Sequence, residues 1–355
     1  MAGAVGAAPK RGRFAPYGLL SPGVIWLGLF FLVPVAFLLR TALSDRPNRF
    51  LPSELDFTWN WSNFSEAFDE FGPQFQSAIK NAAVAMLVAL VLCAGLVVAR
   101  RDLLRNTRAK RLLIGGIVAV FLGTYVVMST LDGWNDHFQR SFLYAGVATI
   151  LAIIIGYPLA YVIAFRAGTY KNLLLGLVVV PFFTTYLIRT IAWGTILADD
   201  AFVVDGLQTF GLLGESDRLL ATPGAVIGGL TYTFLPFMVL PIYVSLEKID
   251  RSLVDAAGDL YSNAGRAFRK VVLPLSLPGV FAGSLLTFIP ASGDYVNAEL
   301  LGNPNTTMTG TVVYNQFIGQ NNYPTAAAIS VMLMVVITIA VLIYSKVLGT
   351  EDLVG

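Results

Sequence analysis

The sequence predicts an all-α protein that crosses a membrane many times, and three observations predict it. Hydrophobic residues fill 56% of the 355 positions and charged residues only 13%, against about 45–50% and about 25% in ordinary soluble domains. The mean hydropathy is +0.69. Apolar runs of membrane-spanning length recur along the whole chain.

Eight segments approach the roughly 17–25 residues that a spanning helix needs. They are Gly23–Leu43, Ala78–Ala99, Leu112–Met128, Phe142–Phe165, Leu173–Leu197, Gly224–Leu246, Pro278–Gly293 and Thr325–Ser345. The third and seventh are short, which fits a tilted, re-entrant or broken helix. The first follows Lys10, Arg11 and Arg13, as a secretory signal would. Its apolar run from Pro22 to Leu39 is longer than the roughly 7–15 residues of a signal core, it contains Pro34, and no small-x-small cleavage site follows. An uncleaved first span is therefore expected.

Lys and Arg distribute as the positive-inside rule requires when both termini are cytoplasmic. The inside loops carry Arg100, Arg101, Arg105, Arg108, Lys110 and Arg111, then Arg166 and Lys171, then Lys248, Arg251, Arg266, Arg269 and Lys270, then Lys346. The outside loops are acidic, with Asp45, Glu54, Asp56, Glu66, Asp69 and Glu70 in the first and Asp199, Asp200, Asp205, Glu215 and Asp217 in the third. The stretch from Asp294 to Pro324 has no Lys or Arg. The expected organisation is a cytoplasmic tail (1–21), a first helix (22–43), an extracytoplasmic loop (44–77), a two-helix hairpin (78–128), a core domain (142–345) and a C-terminal tail (346–355). Membrane lipid is the implied solvent. A net charge of +2 gives no ground for a nucleic-acid partner.

Composition also narrows the chemistry. Cys93 is the sole cysteine and His137 the sole histidine, which excludes an internal disulfide or thiolate cluster and argues against a zinc site. The chain has no GxxxxGK[ST] loop, no HExxH pair and no GxSxG elbow. It is read as a transport component and not an enzyme, with no cofactor. A secondary transporter is the rival class, and it would need a coupling acid in mid-span that the apolar segments lack.

The loop from Glu247 to Leu277 reads EKIDRSLVDAAGDLYSNAGRAFRKVVLPLSL. Ser252 with Asp255 three residues on is a capping pair for a short amphipathic helix, and Pro274 and Pro278 are expected to close the segment before the next span. An ordinary solvated loop is the alternative. The stretch DAAGDLYSNAGRAFRKVVLPLSLPG resembles the EAA loop in permease subunits of binding-protein-dependent ABC importers. Asp255, Ala256 and Ala257 stand at Glu-Ala-Ala, and Leu273-Pro274 at the closing Leu-Pro. Tyr261 departs from a usual glycine, which leaves Asn263 or Gly265 to make the turn. The resemblance implies a type I importer permease fold of about eight spans. It assigns ATPase coupling to Asp255, Ala256, Ala257, Gly258, Tyr261, Gly265, Leu273 and Pro274. It also implies ATPase subunits, a second homologous permease and an extracytoplasmic substrate-binding protein as partners.

Further stretches resemble the spermidine/putrescine branch: LFFLVPVAFLLRTALSD, GYPLAYVIAFRAG, VVVPFFTTYLIRTIAWGTIL and, most specifically, FIPASGDYVNAELLGNPNTTMTGTVVYNQF. Sulfate, molybdate and ferric-iron permeases share the EAA loop and are the alternatives. Residues 78–128 with the basic hairpin RRDLLRNTRAKR add two spans to the usual six. The segment FQSAIKNAAVAMLVALVL echoes FQRSFLYAGVATILAII, which is read as coincidence of apolar composition, with a duplicated helix as the alternative.

Charges at membrane depth mark candidate function. Arg189 lies eight residues after Pro181, on a kinked span that would turn it inward; an outward-snorkelling anchor is the alternative. Asp294 and Glu299 lie at the outer end of the seventh span beside Tyr295, Asn297 and Tyr314. Carboxylates and aromatic faces suit a flexible polycation, so Asp294, Glu299, Tyr295, Asn297 and Arg189 are the substrate-path candidates. A loop that meets solvent or a docked binding protein is the alternative for the acids. Pro34, Pro181, Pro236, Pro241 and Pro290 are expected to bend spans, and Gly156, Gly228, Gly229 and Gly283 to permit close helix contact.

Overall fold

The structure, a computed structural model, describes residues 15–46, 55–69, 80, 137–211, 213–214, 217–261 and 263–348. Apart from Lys80, the predicted spans Ala78–Ala99 and Leu112–Met128 lie outside the described residues, as do the basic hairpin and Cys93. Among the described residues, five helices are long and apolar enough to span a membrane, or six if one bent pair counts as a span.

The first span comprises α1 (Ala15–Leu27), a π-turn (Gly28–Leu32) and α2 (Val33–Ala42). Its apolar part, Leu20–Ala42, is 23 residues long, or roughly 34 Å at 1.5 Å per residue, enough for a hydrocarbon core of about 30 Å. The π-turn stops two residues before Pro34, which lacks the N–H for a regular ladder, so the bonds reroute through i→i+5 pairs. After the span, β1 (Ser44–Asp45) pairs antiparallel with β2 (Asp56–Phe57), and residues 62–69 are helical.

The helix α3 (His137–Phe165) runs through Pro158 without interruption. The predicted span Leu173–Leu197 is not one straight helix. It consists of α4 (Lys171–Val179), a 3-10 turn (Val180–Phe183) and α5 (Tyr186–Ile196), bent by 96°. Pro181 and the extended backbone of Thr184 and Thr185 make the break, and the Thr184 hydroxyl donates to the Pro181 carbonyl at 2.8 Å. A short α6 (Phe202–Thr209) leads to α7 (Pro223–Glu247), whose first turn is capped by the Thr222 hydroxyl accepting from the Ala225 N–H.

The 247–277 segment contains α8 (Arg251–Tyr261), α9 (Ala264–Ala267), a π-turn (Phe268–Val272) and the start of α10 (Leu273–Ser292). Two expectations are corrected here. The seventh span is long, 28 residues from Gly265 to Ser292, because the π-turn again ends two residues before a proline and lets the helix continue through Pro274; the helix also runs on past Pro278. The cap of α8 is Asp250, whose carboxylate accepts from the Ser252 N–H at 2.9 Å; Ser252 lies inside the helix. That bond holds the Asp250 carboxyl below its ordinary range. The chain ends with α11 (Val296–Leu301), α12 (Thr309–Tyr314), a π-turn (Asn315–Gly319) and α13 (Tyr323–Leu348).

The helices α3, α7 and α10 pack on one another and hold two apolar layers. One layer has Tyr144, Ala148, Val226, Leu230, Leu301 and Met308; the other has Ala152, Ala160, Met238, Val239, Ile242 and Val272. Lipid is as apolar as leucine, so close backbone approach and not hydrophobicity holds such helices together. A Cβ on Gly279 would lie 2.5 Å from the Pro241 carbonyl oxygen, and one on Gly283 would lie 2.9 Å from Met238 Sδ and 3.1 Å from its carbonyl oxygen. The pair forms a G-x-x-x-G stripe where α10 crosses α7. Gly156 meets Val239 Cγ2 at 3.2 Å, whereas Gly228, expected at a close contact, faces nothing within 4 Å. Ala42 at the end of α2, Ala67, and Ala327, Ala328 and Ile329 of α13 form a third small core.

Candidate functional site

The candidate site is the junction between the bend at Thr184–Tyr186 and the segment that follows α10. Gly293 ends α10, and the Asp294 carboxylate then accepts from the Asn297 N–H at 2.8 Å, starting α11. The same carboxylate accepts from the hydroxyl of Tyr186, 108 residues away in sequence and the first residue of α5. The Tyr186 oxygen accepts in turn from Asn297 Nδ2 at 2.6 Å. Asp294 and Asn297 are 7% and 1% exposed. Buried polar groups of this kind need partners, and the three residues supply most of one another's.

Two groups at the junction stay open. Asn297 Oδ1 is buried without a hydrogen bond, against the space where a Gly229 Cβ would stand at 2.6 Å. The half-buried Arg189 sits one turn beyond Tyr186, with its guanidinium 5.4 Å from the Phe182 ring centroid and 5.9 Å from that of Tyr186. Its Nε and Nη1 are buried without hydrogen-bond partners, and it forms no ion pair with a described carboxylate.

The structure separates the predicted residues into two sets. Asp294 and Asn297 face the protein interior, while Tyr295, just before α11, and Glu299, four residues on within it, are exposed. The Tyr295 ring stacks on that of Tyr314, centroids 4.9 Å apart and planes within 11°. With Phe317 and Ile318 they line an open recess of ≈ 460 Å³, floored by Gly293 and Gly310. Gly310 is required there, since a Cβ would come within 2.4 Å of the Gly293 carbonyl oxygen. The start of α3 fixes the far end of the segment: Arg140 Nη1 donates to the Thr307 carbonyl at 2.7 Å, and the Ser141 hydroxyl accepts from the Thr309 N–H at 2.7 Å. Sequence reading missed Tyr186 and Arg140. Tyr186 had no local signal beyond its place after the Pro181 break.

The second candidate surface is α8. Its exposed face carries Leu253, Asp255, Ala256 and Asp259, while Ala257 is 5% exposed and turned inward. Beyond Tyr261, the Asn263 side chain accepts from the Gly265 N–H at 2.9 Å. None of Tyr261, Asn263 and Gly265 takes a positive φ, so none of these three positions needs a glycine for its backbone. The segment is tied to α4 at its start, because Lys171 donates to the Glu247 carboxylate and stands 5.4 Å over the Tyr243 ring.

A helical bundle with apolar outer faces, a broken helix and a polar junction defines a multi-pass membrane permease. Residues 152–348, more than half of the chain, match the family described as binding-protein-dependent transport system inner membrane component, and the chain belongs to that family. It is 39% identical over 60% of its length to the spermidine/putrescine transport system permease protein PotB of Haemophilus influenzae, covering 73% of that protein. It is 36% identical to PotB of Escherichia coli K12 over 56% of this chain and 72% of that one. The inner membrane ABC transporter permease protein YdcU of Escherichia coli K12 is 33% identical over 61% and 72% of the two chains. A crystal structure of a bacterial ABC transporter involved in the import of the acidic polysaccharide alginate superposes with a TM-score of 0.54 at 17% identity, covering 94% of each chain. That likeness concerns the fold alone.

Proposed function

We propose that this chain is the permease subunit of an ATP-driven importer for polyamines such as spermidine and putrescine. The carrying observation is the exposed side of this segment, where Glu299 of α11 follows Tyr295 by one helical turn and Tyr295 stacks on Tyr314 at an open recess. A carboxylate one helical turn from stacked π-faces attracts ammonium groups joined by methylenes, and it has nothing to offer an oxyanion. The spermidine/putrescine permeases to which the chain is 36–39% identical support the same substrate class.

In this reading Glu299, Tyr295 and Tyr314 meet the cargo. Asp294, Asn297 and Tyr186 hold the segment that presents them, and Arg189 sits at the bend. The exposed face of α8 docks a separate ATPase subunit, with Asp255 and Ala256 outermost and Leu273-Pro274 leading into α10. A second homologous permease and an extracytoplasmic binding protein complete the assembly, with both chain termini in the cytoplasm. ATPase closure would push on α8 and, through the Lys171–Glu247 tie, on the broken helix.

The test is uptake of radiolabelled spermidine and putrescine into vesicles holding the reconstituted assembly, with and without internal ATP. ATP-dependent polyamine uptake is the expected result. Uptake of sulfate, molybdate or ferric iron in place of polyamine would overturn the substrate class.

A further inference from the structure

The short β-hairpin beyond the first span carries an aromatic cluster that no part of the proposed transport path uses. Trp59 and Trp61 are each 63% exposed and Phe57 is 42% exposed. The Phe57 and Trp59 rings lie 5.0 Å apart. Both indoles are exposed at a fixed height, because the hairpin is bonded to the end of the helix. The Asn60 N–H donates to the Leu43 carbonyl at 2.9 Å, and Asn63 Nδ2 donates to the carbonyls of Ala42 and Ser44 at 3.0 and 2.9 Å. Trp59 and Trp61 flank Asn60, one peptide step to either side, so their α-carbons lie within roughly 10 Å of the helix end. The headgroup layer on each side of a bilayer is roughly 5–8 Å thick. The two tryptophans therefore start within reach of it when the apolar run Leu20–Ala42 fills the hydrocarbon.

Backbone strain gives an independent sign. Trp59 has φ +54°, a left-handed conformation that is unusual for a bulky residue and persists only where the surroundings enforce it. The surroundings do enforce it: Thr58 donates to Asp45 at 2.7 Å and Asn60 also donates to that carboxylate, while the Ser62 N–H donates to Asn60 Oδ1 at 2.8 Å. The cap is otherwise acidic, with Asp45, Asp56, Glu66 and Asp69 described there and Arg46 as its one described cation. An anionic lipid surface is disfavoured by that charge, whereas Trp partitions to the uncharged carbonyl and headgroup region through its apolar body and N–H.

We propose that Trp59 and Trp61, with Phe57, are an interfacial lipid anchor that seats the hairpin in a zwitterionic headgroup layer and fixes the height of the first span. That span carries α13 with it. Ala42 and Ala67 pack on Ala327 and Ala328, and Thr325 donates to Glu66 at 3.1 Å.

The full chain is reconstituted into phosphatidylcholine vesicles brominated either at shallow or at deep acyl carbons, and tryptophan emission is compared between wild type and Trp59→Phe/Trp61→Phe. The difference emission should be quenched about twofold more by the shallow label than by the deep one, the signature of an interfacial indole. A single-site variant, Trp61→Phe, gives the same comparison should the double variant not insert. Trp59→Gly, which suits the positive φ, should lose its share of shallow quenching without lowering the unfolding midpoint in detergent. Difference emission insensitive to bromine, or quenched more by the deep label, would overturn the anchor. So would shallow quenching that disappears when the transporter's purified binding protein is added, since the cluster would then be a protein-docking surface.

Discussion

Tyr186 and Asp294 are joined by a hydrogen bond across 108 residues, and that bond ties the broken helix to the turn that starts α11. Between membrane helices a single hydrogen bond averages about 0.6 kcal/mol and reaches about 1.7. A carboxylate at 7% exposure with two donors belongs at the upper end of that range. Tyr186→Phe and Asp294→Asn should each lower the unfolding midpoint in detergent, and the double variant should lose less than the sum. A coupling energy of about 1 kcal/mol is expected from the double-mutant cycle. Additive losses would show that the two side chains act independently.

The glycine contacts rank a second set of variants. A methyl at Gly279 meets backbone oxygen at 2.5 Å, one at Gly283 meets Met238 at 2.9 to 3.2 Å, and one at Gly228 meets nothing within 4 Å. The nearest atom at Gly283 is the end of a methionine, with main chain at 3.1 Å or more, whereas at Gly279 main chain itself is the nearest, and it yields less. Gly279→Ala should therefore be the most destabilising, by about 1–3 kcal/mol, Gly283→Ala intermediate, and Gly228→Ala neutral or stabilising. Thermal unfolding in one detergent orders the three. A loss at Gly228 equal to that at Gly279 would contradict the packing.

These contacts also show what was legible beforehand. Apolar length announced every described span, because a bilayer demands long unbroken runs whatever their neighbours. Long-range geometry was not announced. Gly228 and Gly279 look equally suited to close packing in sequence, and only the crossing of α10 over α7 separates them. Pro274 and Pro278 were expected to close the segment before the next span, yet the helix runs through both, with the π-turn at Phe268–Val272 absorbing Pro274, since a bond shift within one turn leaves no residue pattern of its own. Asp294, Glu299, Tyr295 and Asn297 were singled out by charge and composition along six residues. Their division into a buried pair and an exposed pair, and the involvement of Tyr186, come from tertiary contacts with no local signature.

For the proposed ATPase surface, side-chain direction changes which variants are informative. Leu253 is 51% exposed and Asp255 and Ala256 share its outward face, whereas Ala257 is 5% exposed. Asp255→Lys and Ala256→Arg should reduce co-purification of the ATPase by about tenfold or more, as a misplaced interface charge costs several kcal/mol, with the unfolding midpoint unchanged. Ala257→Leu should lower the midpoint by overpacking instead. Retention of the ATPase in both outward variants would remove α8 as the docking element.

The basic hairpin from Arg100 to Arg111 carries the strongest orientation signal in the chain. A cysteine at Asn106, in a Cys93→Ser background, should resist impermeant thiol reagents in intact cells and label readily in inverted vesicles. Labelling from outside would reverse the proposed orientation.

The substrate prediction turns on the contrast between two acids in one short segment. Glu299 is exposed, so Glu299→Gln removes charge from the proposed path and leaves the fold untouched. Asp294 is buried and bonded to Tyr186 and Asn297, so Asp294→Asn disturbs the junction first. At an effective dielectric near 20, a carboxylate about 4 Å from an ammonium gains up to about 4 kcal/mol before desolvation is subtracted. If a third of that survives at an exposed site, loss of Glu299 costs about tenfold in the transport step. Glu299→Gln should thus lower spermidine uptake by about tenfold, and putrescine uptake less, because spermidine has one more ammonium to share between Glu299 and the Tyr295–Tyr314 stack. Its unfolding midpoint should match wild type. Asp294→Asn should lower uptake of both cargoes equally and lower the midpoint as well. Uptake assays on the reconstituted assembly, read beside thermal unfolding of the same preparations, separate the two effects. Wild-type spermidine transport by Glu299→Gln would take the exposed face of α11 out of the cargo path.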